Sequence, residues 1–268
     1  ALTVAILVVC VGLGMFKGII SSAPDISTLD VVPDGYATVV YDSEGHEMTK
    51  LVAENSNRSY VTMDKIPQNL ADAFVAIEDS RFYEHNGIDI YGIFRAGFEA
   101  IRSGKLTQGA STITQQLAKN LFPRDTVRNR GKIGRTMKLV QSKFKEWITA
   151  LKLEHNYTKD EIAAMYLNIV GYGSNAYGIK SAASTFFGKS PEELNIQEAA
   201  MLVGVVNAPT RYSPVRNPEN ALARRNLVLD RMRSAGAISR KVCDSLSALP
   251  ITLQYKPISH NEGEATYF

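Results

Sequence analysis

Sulfur has little to do in this chain: 268 residues include two cysteines, Cys10 and Cys243. Cys10 stands in an apolar N-terminal run and Cys243 lies near the other end, so a disulfide between them is not expected. Two cysteines and four scattered histidines also argue against a zinc site. Neither sign of charge dominates. Thirty Lys and Arg stand against 27 Asp and Glu, a formal net charge of +3 that favours anionic surfaces without requiring nucleic acid. No internal repeat, low-complexity segment, Walker loop or nucleophile elbow occurs. With 45% hydrophobic residues, the chain is long enough to bury one substantial core and carry a small appendage.

Long apolar runs are equally scarce, with one exception at the start. Ala1 to Phe16 holds no charged residue, and after Lys17 the apolar character resumes through Ile20, close to the roughly 20 residues of a spanning helix. Residues 1–22 are therefore expected to form a transmembrane anchor. A cleaved secretory signal is the rival, because Ser21-Ser22-Ala23 offers small residues for cleavage, but the run exceeds a signal core of about 7 to 15 residues. Without an initiator Met, further residues are expected upstream, carrying the positive charges that set orientation. Either reading exports the rest of the chain.

Residues 23–66 read as a juxtamembrane spacer. Within it, Tyr36-Ala-Thr-Val-Val-Tyr41 and Met48 to Val52 flank Asp42-Ser-Glu-Gly45, the pattern of a β-hairpin. From Pro67 the periodicity turns helical, with Leu70, Phe74 and Ile77 at helical spacing, and Ile90 to Ile101 repeats it before Ser103-Gly104. Start signals stand at Ser111, at Thr158-Lys-Asp-Glu161 and at Ser190-Pro191-Glu-Glu. A long helix is predicted from about Gly131 to His155, with Ile133, Met137, Val140, Phe144, Ile148 and Leu151 as its core face. Asn195 to Val206 and Pro218 to Ala235 add two more. The expectation is a mainly α domain over 67–250, followed at 251–268 by a polar linker that leads towards a further domain.

Three clusters hold chemistry. Glu78-Asp79-Ser-Arg81-Phe82-Tyr83-Glu84-His85-Asn-Gly87-Ile-Asp89 gathers four carboxylates, one Arg and one His at a helix end. Such carboxylates are candidates for general acid–base work, and the same density fits a solvated turn in which Arg81 and His85 pair with the acids. Gly109-Ala-Ser111-Thr112-Ile-Thr114-Gln115-Gln116-Leu-Ala-Lys119 supplies hydroxyl, amide and ammonium donors suited to a sugar or an anion, or else to a polar surface helix. Arg124 to Lys145 holds eight Lys or Arg against the single acid Asp125, so it wants an anion. Export argues that this anion is phospholipid or pyrophosphate and not nucleic acid. Lys143 and Glu146, three apart, also fit an ordinary surface pair. Ser142-Lys-Phe-Lys145 matches S-x-x-K of penicillin-reactive serine enzymes, but a K-[ST]-G companion is absent.

In this order the clusters resemble the peptidoglycan glycosyltransferase family, the lysozyme-like domain of class A penicillin-binding proteins and monofunctional transglycosylases. Glu78-Asp-x-x-Phe-x-x-His85-x-Gly87-x-Asp89 is similar to the family's first motif, Gly109-x-Ser-Thr-x-x-Gln-Gln116 to its second and Lys143-x-x-Glu146 to its third. Tyr166-Leu-Asn168 with Gly173 and Ala176-Tyr-Gly178 resembles the fourth, and Glu198-Ala-Ala-x-Leu-x-Gly204 with Pro209 and Tyr212 the fifth. Ser142 stands where the third motif usually has an arginine, and Arg135 or Lys145 is left to supply that charge. The resemblance implies a lysozyme-like helical fold and the polymerisation of lipid II with release of undecaprenyl pyrophosphate and inversion. It implies Glu78 as the base and Glu146 as the second catalytic glutamate. Asp79, Phe82, His85, Ser111, Thr112, Gln115, Gln116, Lys119, Arg135, Lys143, Asn168 and Tyr172 are implied as substrate-binding residues. Mg²⁺ or another divalent ion near Glu146 is a candidate cofactor, and no organic cofactor is implied. The implied partners are lipid II, the lipid-linked glycan, membrane lipids and other cell-wall synthesis proteins. The implied location is the outer face of a bacterial cytoplasmic membrane, with a single pass. A glycan-cleaving relative with Glu78 as acid and a non-catalytic scaffold are the rivals.

Overall fold

The structure, a computed structural model, describes residues 18, 38–51, 60–104, 111–122 and 132–257. The expected anchor, apart from Gly18, and the side chains of Ile133 and Arg135 lie outside the described residues. Among the described residues no helix is long and apolar enough to cross a membrane. Helices dominate. The stretch expected as one domain divides into two compact units, whose described residues are 18, 82–104, 111–122 and 132–162 in the first and 38–51, 60–81 and 163–257 in the second.

In the second of these, β1 (Thr38–Tyr41) and β2 (Glu47–Leu51) pair antiparallel with Thr38 opposite Leu51. Asp42 closes the turn: its carboxylate accepts the amides of Glu44 and His46 at 2.9 and 2.8 Å, and these bonds, that from His46 foremost, pull its pKa down. After a 3₁₀ turn at Met63–Lys65, α1 (Gln68–Glu78) buries Leu70, Ala71, Ala73, Phe74 and Ala76. To keep chain order, the helices of the first unit take the labels α2 to α4. Helix α5 (Lys159–Ile169) starts in the first unit and ends in the second, where α6 (Ile179–Phe187), α7 (Ile196–Val206), α8 (Pro218–Ser234) and α9 (Arg240–Ser247) follow.

Helix α7 is the core rod: from Ala199 to Val206 every residue is buried, and α1, α6 and α8 all pack on it. Its bounds, Ile196–Val206 with Asn195 as N-cap, match the helix expected from Asn195 to Val206. The Ser190-Pro191 signal opens only a 3₁₀ turn, Pro191–Glu193, because Leu194 returns to extended backbone; a second capping box, Asn195 with Glu198, then starts the helix. Helix α9, capped by Ser239, was not predicted. Arg225, 1% exposed, donates to the carbonyls of Ser247, Leu249 and Pro250 and so ties the end of α9 to α8, while burial lowers its pKa. The described part of the expected linker is not free. The amides of Gln254 and Lys256 bond the carbonyls of Phe186 and Thr185 at 2.9 Å each, and Tyr255 stacks on Phe186.

The first unit contains α2 (Ile90–Ser103), α3 (Ile113–Leu121) and α4 (Lys132–Asn156), with α3 packed on α4. Its core is small: Phe82, Ile113, Leu117, Ala118, Ala150 and Leu153. The expected core face of α4 is overturned. Met137 and Val140 are 60% and 51% exposed, and Phe144 and Leu151 are exposed too. Glu146, Thr149, Ala150 and Leu153 are buried instead, at helical spacing on another face. Helix α2 likewise buries only Gly92 while Phe94 and Phe98 stand out at 75% and 68%. Periodicity shows that a helix has an apolar stripe, not what covers it.

Candidate functional site

The two units carry different candidate residues, and each set is built from its own elements. In the first unit the loop from Phe82 to Asp89 turns on Gly87, whose φ is +83°. A Cβ there would come within 3.0 Å of the Ala150 carbonyl and 3.1 Å of Glu154, so both conformation and space demand glycine. The Gly87 carbonyl accepts from Thr112 Oγ1 at 2.7 Å and from Gln115 Nε2 at 3.3 Å. Thr112 Oγ1 in turn accepts the Gln115 amide at 3.1 Å, so Thr112 is the N-cap of α3, a role the sequence reading gave to Ser111.

Ser111 is thereby released for another partner. Lys143 Nζ donates to Ser111 Oγ at 2.8 Å and to Glu146 Oε2 at 3.2 Å, which links α4 to the start of α3. Glu146 is only 7% exposed, so this is no ordinary surface pair: a nearly buried carboxylate holds a half-buried ammonium. Lys119 stands exposed near the end of α3, Gln116 is half-buried, and Gln115 is buried with its Oε1 lacking a donor among the described residues. Phe82 is fully buried, with the His85 ring edge-on at 6.4 Å. Lys145 is half-buried, and the side chain of Arg135 lies outside the described residues. For the divalent ion expected near Glu146, the described residues offer no group of three or more His, Cys, Asp or Glu, and Lys143 already meets that carboxylate.

In the second unit Glu78 closes α1 and Asp79 follows it, 8% exposed. Burial, with the charge of Glu78 adding to it, pushes the Tyr166 pKa well up, so this phenol stays neutral; its ring packs on Phe74 with centroids 4.9 Å apart. Asn168, expected as a substrate contact, is already committed. Its Oδ1 accepts the Val61 amide at 2.8 Å, and its Nδ2 donates to the carbonyls of Val61 and Ala164 at 2.7 Å each. Tyr172 is fully buried, and that burial raises its pKa. Around them the turn from Gly171 to Gly178 is tight: Ser174 and Asn175 both have positive φ, and a Cβ at Gly178 would lie 2.6 Å from the Asn168 carbonyl. Asn168 and Tyr172, expected as substrate contacts, are both buried within this part of the scaffold.

Sequence reading missed Glu154 and Lys159, and placed Thr114 in the second cluster without a partner. Thr114 Oγ1 donates to Glu154 Oε1 at 2.5 Å, and Lys159 Nζ donates to the same oxygen at 2.7 Å and to the His85 carbonyl at 2.5 Å. The only signal nearby was the Thr158–Glu161 capping box, which the structure bears out.

The transglycosylase family model matches residues 44–233. The chain is 39% identical over 246 residues to penicillin-binding protein 1A of Escherichia coli, covering 90% of this chain and 27% of that protein. It is 40% identical over 236 residues to penicillin-binding protein 1A of Aquifex aeolicus, covering 88% and 31%. It is 41% identical over 205 residues to a Cupriavidus necator protein that carries the transglycosylase name, covering 76% and 83%. The chain spans less than a third of the length of the first two relatives and most of the third. With the ordered motifs of both units, the match over most of the chain leads to one conclusion: the chain belongs to the transglycosylase family and carries a peptidoglycan glycosyltransferase domain.

Proposed function

We propose that the chain polymerises lipid II into β-1,4-linked glycan with inversion, working from the outer face of a bacterial cytoplasmic membrane, to which residues 1–22 anchor it. The observation that carries the reading is the buried Glu146 holding Lys143 against Ser111, a preorganised cation of the kind a departing pyrophosphate needs. In the step proposed, Glu78 takes the proton of the acceptor's 4-hydroxyl as that oxygen bonds to the anomeric carbon of the donor. The bond from that carbon to the pyrophosphate oxygen breaks on the opposite face, and the pair leaves with undecaprenyl pyrophosphate. Lys143 and Lys119 meet the charge that develops, with Glu146 orienting Lys143. His85, Gln115 and Gln116 contribute polar contacts to the sugars, on a lysozyme-like scaffold.

Both substrates carry a long lipid tail, and the exposed apolar faces of α2 and α4 suit a place against the bilayer. Other cell-wall synthesis proteins are natural partners of such a domain. Incubation with labelled lipid II and, separately, with preformed glycan tests the reading. Longer strands from lipid II are expected; shortening of the glycan without elongation would make Glu78 an acid in a hydrolase instead.

A further inference from the structure

Lys159 is out of place by the ordinary rules of helices. It is the first residue of α5, where the helix dipole disfavours a cation, and its side chain is 19% exposed. The capping box holds it there: Glu161 Oε2 accepts the Thr158 amide at 2.7 Å and Thr158 Oγ1 accepts the Glu161 amide at 3.3 Å. From that fixed point the ammonium meets three groups. It bonds Glu154 Oε1 and the His85 carbonyl, and it lies 4.5 Å from the centroid of the Phe82 ring. Two of its three donors are thus engaged inside the protein, and the Phe82 ring lies against the same ammonium. The next residue joins in, since Asp160 Oδ1 accepts the Tyr83 hydroxyl at 3.4 Å.

The far side of the same loop is held from α3, where Thr112 and Gln115 grip the Gly87 carbonyl. Glu154 connects the two grips, because its Oε1 takes both Lys159 Nζ and the hydroxyl of Thr114 on α3. Every group in this chain of contacts lies in the first unit. The carbonyls of His85 and Gly87 are therefore held by separate groups, Lys159 on one and Thr112 with Gln115 on the other, and Glu154 joins Lys159 to Thr114 on the helix that carries Gln115.

We infer that Lys159, seated by Glu154, is a positioning residue: it fixes the main chain of the loop Phe82–Asp89 in the shape that glycan synthesis requires, while making no contact with substrate. The inference rests on the proposed function for its effect on rate, and on geometry alone for its effect on the loop. Removing the ammonium takes this donor from the His85 carbonyl, leaves the buried Glu154 carboxylate with Thr114 and no cation, and lets the loop move relative to α3.

The test compares wild type, Lys159→Met and Lys159→Arg in the intact chain, with two readouts. Hydrogen exchange of amides 84–88 is expected to quicken at least tenfold in Lys159→Met, with the amides of α7 unchanged. Turnover of labelled lipid II is expected to show kcat at least tenfold lower per folded molecule and KM within threefold, with Lys159→Arg recovering most of both losses. A merely structural lysine would lower the melting temperature yet leave kcat per folded molecule and the loop's exchange at wild-type values, and that result overturns the inference. Should the wild type fail to elongate lipid II, the proposed function falls, and the exchange of the loop still decides whether Lys159 is its clamp.

Discussion

Replacing Thr112 with valine removes one hydroxyl and little shape, and the structure says what that hydroxyl does. It caps α3 by accepting the Gln115 amide at 3.1 Å and it donates to the buried Gly87 carbonyl at 2.7 Å. Loss of an N-cap costs about 0.5 to 2 kcal/mol. A buried carbonyl left without a donor costs about 1 to 3 kcal/mol, and here Gln115 Nε2 remains at 3.3 Å, so the lower part of that range applies. The expected destabilisation of Thr112→Val is about 2 to 3 kcal/mol, with Thr112→Ser, which keeps the hydroxyl, losing about 1 kcal/mol for its methyl. The chain offers a local probe. Its single tryptophan, Trp147, is half-buried on α4 in the same unit, edge-on to Phe144 with ring centroids 5.4 Å apart. Urea unfolding followed by its fluorescence therefore reads the unit that holds Thr112. A valine variant within 0.5 kcal/mol of wild type, or a serine variant as unstable as the valine one, would refute the cap and the clamp together.

Three further outcomes follow from single contacts. Asn168→Leu strands the buried Val61 amide and carbonyl, so it should cost about 2 to 5 kcal/mol in thermal unfolding; a loss under 1 kcal/mol would contradict the structural weight given to these bonds. Phe94 and Phe98, both strongly exposed on α2, should carry depth-sensitive labels into the acyl region of anionic vesicles, and fully aqueous labels would remove the membrane-facing role of this helix. The Ser190 amide, and then its hydroxyl, pull the Glu193 pKa below the usual glutamate value. Its stabilising contribution is thus present above the unfolded-state pKa and is lost as pH falls through the folded one, so an NMR titration should give Glu193 a midpoint below that of a free peptide glutamate; an equal or higher one contradicts it.

Local signals carried much of the fold. The capping residues around Thr158 and Asn195, and the length of α4, are written in short stretches whose physics is self-contained. The faces were not. The stripe of Met137, Val140 and Phe144 is apolar enough to be a core, and only the packing of α3 on α4 reveals that Glu146, Thr149, Ala150 and Leu153 are the buried set. Site residues divided the same way. Glu78, Lys143 and Glu146 are singled out by the resemblance of the ordered motifs to the family, since residue type and spacing alone also fit a salt-bridged turn and a surface pair. Asn168 looks like a ligand contact by its amide, yet its partner Val61 lies 107 residues away in sequence. Lys159 meets His85 across 74 residues, and no local pattern announces so distant a pairing.

The central claim is that Glu78 is the base of a polymerising reaction. Labelled lipid II turnover by Glu78→Gln, which keeps the size of the side chain and removes its proton-accepting charge, tests it most directly. The account predicts a rate lower by about 10² to 10⁴, with the protein still folded. Elongation by Glu78→Gln at the wild-type rate would contradict it.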